Sequence, residues 1–149
     1  MDEIRPLVHR VSYFETDQMG IVHHSNYIRW FEDARTDYMK QRGVSYREIE
    51  AQGVIMPVVS VACSYKQSAH FDELVFVRTR IRFFNGVRLT YAYEVSGEDG
   101  ALLAEGTSEH CFLDRETRKP IHMKRKLPEL YELMARLWEE EKTGGLESE

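Results

Sequence analysis

Residues 13–39, YFETDQMGIVHHSNYIRWFEDARTDYM, decide the fold. The stretch opens as the end of an alternating segment, breaks at an acidic turn, passes Gly20 and the pair His23–His24, and then takes up a helical period. From Ser25 to Gln41, Tyr27, Trp30, Phe31, Ala34 and Tyr38 fall on one face, while Arg29, Glu32, Asp33, Thr36, Asp37 and Lys40 lie mostly opposite. That spacing predicts a long amphipathic helix over about 25–41, ended by Gly43 in the C′ position. Asp17 stands one short loop ahead of it. A carboxylate so close to a helix N-terminus compensates the helix dipole, or it is half of a reaction site whose other half is the helix end.

Before this stretch, LVHRVSYF (7–14) reads as a first strand, and 15–23 is irregular with Gly20 as its turn point. After it, Ser45 with Glu48 forms a capping-box pattern for a short second helix ending near Gly53. The period then changes to two. Residues 56–67 set Val59, Val61, Cys63 and Tyr65 on one side. Residues 73–84 set Val75, Val77, Ile81 and Phe83 on one side and Arg78, Arg80 and Arg82 on the other. Asn85-Gly86 is a hairpin turn, and Val87, Leu89, Tyr91, Tyr93 and Val95 continue the apolar face. A further strand follows over about 101–113, a turn over 115–120, and a last helix over about 128–141 with Pro128 at its N1 position.

One strand, one long helix and then consecutive antiparallel strands make an α+β layout: an antiparallel sheet around a central helix, with a C-terminal helix. The length, 149 residues, suits one domain over 1–142 with a core of its own, followed by a polar, glycine-containing tail at 143–149 expected to be disordered. The formal net charge of −5 speaks against broad binding to nucleic acid. There is no apolar stretch long enough to span a bilayer and no secretory h-region, so the expectation is a cytoplasmic protein. Cys63 and Cys111 lie in strand-like segments without metal-type spacing, which predicts two buried, reduced thiols. No G-x-S-x-G elbow, zinc-ligand spacing or glycine-rich phosphate loop is present.

The pattern Tyr13-x-Glu15-Thr16-Asp17-x-x-Gly20-x-Val22-x-His24-x-x-Tyr27, running into YIRWFEDAR, resembles the signature of the 4-hydroxybenzoyl-CoA thioesterase-like acyl-CoA thioesterases. The later stretch SYKQSAHFDELVFVRTRI is similar to that family as well, so the resemblance covers about residues 8–130. It implies a hotdog fold, homodimers with sheets joined edge to edge and often paired into tetramers. It further implies hydrolysis of an acyl-CoA thioester without metal or other cofactor.

On this resemblance Asp17 is the catalytic carboxylate, attacking the thioester carbon directly or acting as base on a water. The amide of His24 takes the oxyanion role at the helix N-terminus. The His24 side chain either orients the reacting groups or is a capping group at the surface. His23, where many relatives carry an aromatic residue, and Tyr27 are candidates to line the substrate pocket, Tyr27 being equally a core residue of the apolar face. Gly20 supplies a special backbone conformation or a close approach to substrate. Arg82 and Arg88 bracket the hairpin and are candidates for the CoA phosphates, as is the run from His122 to Lys126. Each of these basic groups is otherwise a solvated surface. The alternatives are a non-catalytic acyl-CoA-binding module, for which an acid at position 17 has no use, and a thioesterase or dehydratase acting on acyl carrier protein. The dehydratase needs a histidine within the long helix, where none follows His24.

Overall fold

The computed structural model describes residues 3–148, with side chains through 142. In chain order the elements are β1 (Leu7–Arg10), a 3-10 turn (Tyr13–Glu15), α1 (Ser25–Gln41), α2 (Tyr46–Ala51), β2 (Val54–Ile55) and β3 (Val58–Tyr65). They continue with β4 (Leu74–Phe84), β5 (Arg88–Gly97), β6 (Leu102–Cys111), β7 (Leu113–Asp114), α3 (Met123–Lys126) and α4 (Pro128–Ser148). The principal sheet has the order β1-β4-β5-β6-β3, and β2 pairs with β7 in a second, two-stranded sheet. β1 runs antiparallel to β4, with Leu7 opposite Val77 and Arg10 opposite Leu74. The side chains of 143–148 and the whole of residue 149 lie outside the described residues, and with them the expected disordered tail at 143–149.

By its contacts the chain divides into two compact units. The first comprises Met1–Gly43, Ala62–Thr79 and Tyr93–Thr107. It holds α1, whose expected face (Tyr27, Trp30, Phe31, Ala34, Tyr38) is buried throughout, joined by Asn26 and Met39. Phe31 stacks on Tyr93 with ring centroids 4.3 Å apart. That contact requires glycine at position 106, because a Cβ there would meet the Ala62 carbonyl oxygen at 2.3 Å and the Phe31 ring at 2.7 Å. β1 is shorter than the expected 7–14: the Glu15 carboxylate accepts the Ser12 N–H at 2.7 Å and coils 13–15 out of the sheet.

The second unit comprises Val44–Val61, Arg80–Ala92 and Ser108–Glu149. The Asn85-Gly86 turn closes it as expected, with Asn85 Oδ1 accepting from the Val87 and Arg88 amides at 2.9 and 2.7 Å. The alternation of β4 slips by one residue here: Ile81 and Phe84 are buried, and Phe83 turns outward. A strand that admits an extra residue shifts its faces in this way. Phe84 takes the core place against Tyr131 of α4 (5.5 Å), and Phe83 rests edge-on against Trp138 (5.3 Å). The β2–β7 pair and α3 were not legible as period-two or period-3.6 runs, being too short to carry a period.

β3 also departs from expectation. Instead of presenting one buried apolar side, it lies last in the sheet order, and Val58, Val59, Val61 and Tyr65 are all between 44% and 48% exposed. Cys63 and Cys111 are free thiols on β3 and β6, half-buried rather than buried.

Candidate active site

The loop ahead of α1 is built on Glu15. Its carboxylate is buried and accepts hydrogen bonds from Trp30 Nε1 (2.8 Å) and the Ser12 amide (2.7 Å), with His9 Nε2 also at 2.7 Å. Its main-chain carbonyl accepts from His23 N–H and from Asn26 Nδ2, both at 2.8 Å. The loop is thereby tied to the first two turns of α1. Burial alone pushes the Glu15 carboxyl up, but the hydrogen bonds from Ser12, His9 and Trp30 together outweigh it and hold it below its usual value. A depressed folded-state value means that Glu15 stabilises fully above the ordinary carboxylate range, and that this stability is lost as pH falls through the folded value. We expect the melting temperature to drop below about pH 4.5, and Glu15→Gln to be less stable at neutrality with a flatter acid limb. A melt series from pH 3 to 7 on the two proteins checks this; parallel curves count against it.

Beyond Glu15 the chain makes a tight return. Thr16 bridges to Val22, the Asp17 amide donates to the Ile21 carbonyl at 2.9 Å, and the Gly20 amide donates to the Asp17 carbonyl at 2.9 Å. Gly20 sits at φ +79°, in the left-handed region, with nothing within 4 Å of where a Cβ would be. Its role is therefore backbone conformation rather than packing. Asp17 Oδ1 accepts the Met19 amide at 2.8 Å. Oδ2 has no partner among the described residues.

His24 is the N-cap of α1, with α-helical backbone angles and no side-chain cap bond. Its N–H finds no acceptor among the described residues, as is usual for the first amides of a helix. The peptide carrying that N–H also carries the His23 carbonyl, which accepts from the Asn26 amide (3.0 Å) and side chain (3.3 Å). The His24 carbonyl accepts from the Tyr65 hydroxyl at 3.0 Å.

Asp17, His24 and Tyr27 line one cleft of about 200 Å³, together with Met19, Ile21 and Val22 from the turn and Tyr65, Lys66, Gln67 and Ser68 from the end of β3 and the loop after it. That loop is fixed by the Lys66 and Gln67 amides, which both donate to the Leu103 carbonyl at 2.8 and 3.1 Å. Tyr27 and Tyr65 meet edge to face at 5.1 Å, an aromatic wall. Burial, followed by the Cys63 thiol, pushes the Tyr65 phenol up to about 12, so it remains a neutral donor at physiological pH. Burial also raises the Cys63 thiol, which keeps it from thiolate chemistry.

Of the other residues singled out in the sequence, His23 does not line the cleft. Its Nδ1 lies 2.9 Å from Ser25 Oγ and its ring stacks on His24 at 4.2 Å. Arg82 and Arg88 are exposed on β4 and β5 in the second unit and do not line the cleft. In the basic run, His122 caps α3 by accepting the Lys124 amide at 3.1 Å, and Lys126 lies 3.9 Å from Asp114. Tyr65, Lys66, Gln67, Ser68 and Asn26 were missed from sequence. The available signal was a polar run directly after an apolar strand, and an asparagine on the apolar face of a helix.

The model of the thioesterase-like superfamily matches residues 11–134. The chain belongs to this superfamily. Among curated relatives, YneP of Bacillus subtilis (strain 168), provisionally named an acyl-CoA thioesterase, is 41% identical over 119 residues, 80% of this chain and 86% of YneP. The acyl-CoA thioester hydrolase YbgC of Escherichia coli O157:H7 is 28% identical over 111 residues, 74% of this chain and 83% of YbgC. Among solved structures, DHNA-CoA thioesterase from Staphylococcus aureus superposes with a TM-score of 0.90 at 35% identity, covering 94% of each chain. The expected hotdog fold of this thioesterase-like chain is thus borne out. No helix among its described residues is long and apolar enough to cross a membrane.

Proposed function

We propose that this thioesterase-like chain hydrolyses acyl-CoA thioesters at the Asp17 cleft. One observation carries the reading: the residue with an uncommitted carboxylate oxygen, Asp17, and the residue with an uncommitted helix N-terminal amide, His24, line the same cleft. A thioester carbonyl needs those two things at once. Asp17 Oδ2 either attacks the carbonyl carbon, expelling CoA thiolate and leaving a mixed anhydride that water opens, or takes a proton from a water that attacks in its place. In both routes the carbonyl oxygen becomes negative, and the His24 N–H with the positive end of α1 stabilises it. The thiolate is a good enough leaving group to depart without a metal or a second acid, so the reaction is assigned to the protein alone. The His24 side chain, exposed and without a cap bond, is not required by either route.

Aromatic acyl-CoAs come first as substrates. The aromatic wall of Tyr27 and Tyr65 supports this, as do the relatives named for DHNA-CoA and gentisyl-CoA. We assign the active form to a homodimer, and more specifically a dimer of dimers, residing in the cytoplasm. The exposed, valine-rich β3 at the sheet edge supports self-pairing, since such an edge is otherwise an aggregation risk. The test is thiol release from aromatic, short-chain and long-chain acyl-CoAs and from acyl carrier protein thioesters, after exhaustive chelation. Release from CoA esters is the expected outcome. Binding without release identifies a non-catalytic module, and release from the carrier protein alone reassigns the substrate.

A further inference from the structure

We propose that Tyr65 is a positioning residue for thioester hydrolysis, acting through the His24 carbonyl; the inference rests on the thioesterase reading above. His24 joins two peptide planes. The one on its N-terminal side bears the free N–H and is held by Asn26, which is buried and bonds the His23 carbonyl with both its amide and its side chain. The plane on its C-terminal side bears the His24 carbonyl, held by the Tyr65 hydroxyl at 3.0 Å. The residue supplying the oxyanion donor is therefore clamped from both sides.

A clamp is needed because first helical turns fray: their amides lack partners inside the helix. An oxyanion donor lowers the barrier only if it is already aimed when the charge develops. Tyr65 is suited to the task. It comes from β3, forty-one residues away in sequence, so its position does not follow the fraying of α1. Its ring is set edge-on against Tyr27 at 5.1 Å and against the His24 ring at 6.3 Å, which fixes the hydroxyl's direction. It also lines the cleft, so the clamp stands beside the reacting atoms.

The test uses the full chain, wild type beside Tyr65→Phe, with Tyr65→Met as a second donor-free variant that fills the space without the aromatic ring. His24–Ser25 is the one His-Ser pair in the sequence. Carbonyl-labelled histidine combined with amide-labelled serine therefore gives a single carbon–nitrogen correlation that reports the His24 carbonyl. Both variants are expected to shift that signal in the direction of a lost hydrogen bond. Both are expected to lower kcat about three- to tenfold, the weight of one hydrogen bond, and Tyr65→Phe, which keeps the ring of the aromatic wall, to keep KM within about twofold. A signal that does not move, or one that moves while kcat stays at the wild-type value, overturns the assignment. So does a rise in KM in Tyr65→Phe that accounts for the whole loss, since that makes the Tyr65 hydroxyl a substrate contact. A wild type inert toward every acyl-CoA and every acyl carrier protein thioester overturns the thioesterase reading and this role with it, whatever the spectrum shows.

Discussion

Asp17→Asn is expected to lower kcat by about two orders of magnitude or more, the scale of a lost general base. The amide keeps the size of the carboxylate, and its Oδ1 still accepts the Met19 amide, so the turn from Asp17 to Ile21 retains its hydrogen bonds. What disappears is the uncommitted oxygen's ability to attack or to take a proton. The melting temperature should therefore move little, by the small amount typical of a half-exposed polar exchange. KM should stay level or fall, because a negative charge leaves the surroundings of an electron-rich carbonyl oxygen. Turnover, KM and a melt on the two proteins make the check. A folded variant with near wild-type turnover reduces Asp17 to a dipole-compensating acid.

Lysine at both Val59 and Val61 is expected to convert the proposed dimer to monomers at micromolar concentration. Both valines are nearly half exposed on β3, the last strand in the sheet order. If two copies pair along this edge about a two-fold axis, each substitution places like charges near each other across the junction and removes apolar contact. Edge lysines are a common device against strand pairing. The fold of each copy should persist, since neither valine is buried within it. Sedimentation of wild type and double variant decides. An unchanged mass for the variant moves the interface away from β3, and a monomeric wild type removes the dimer altogether.

How much of this was legible in the sequence follows from the range of the forces involved. α1 was read to its ends because one apolar stripe and a closing glycine specify a helix locally. The Asn85-Gly86 turn was equally local. The face change at Phe83 and Phe84 was not, since either phenylalanine satisfies the alternation and only Tyr131 and Trp138 of α4 decide between them. Nor could β3 be read as an exposed edge: Val59 and Val61 look the same in a core strand as in a strand awaiting a partner. At the site, Asp17 and His24 are close in sequence and carry a motif. Tyr65 enters by a hydrogen bond across forty-one residues, which no local pattern encodes.

The most direct measurement is a crystal structure of the protein with a non-hydrolysable acyl-CoA analogue, in which a methylene group replaces the thioester sulfur and the carbonyl is kept. The Asp17 mechanism requires the acyl carbonyl in the cleft of Asp17, Tyr27 and Tyr65, its oxygen within hydrogen-bond reach of the His24 N–H and its carbon facing Asp17 Oδ2 directly or through one water. An analogue bound with its carbonyl away from both groups, or seated outside this cleft, contradicts it.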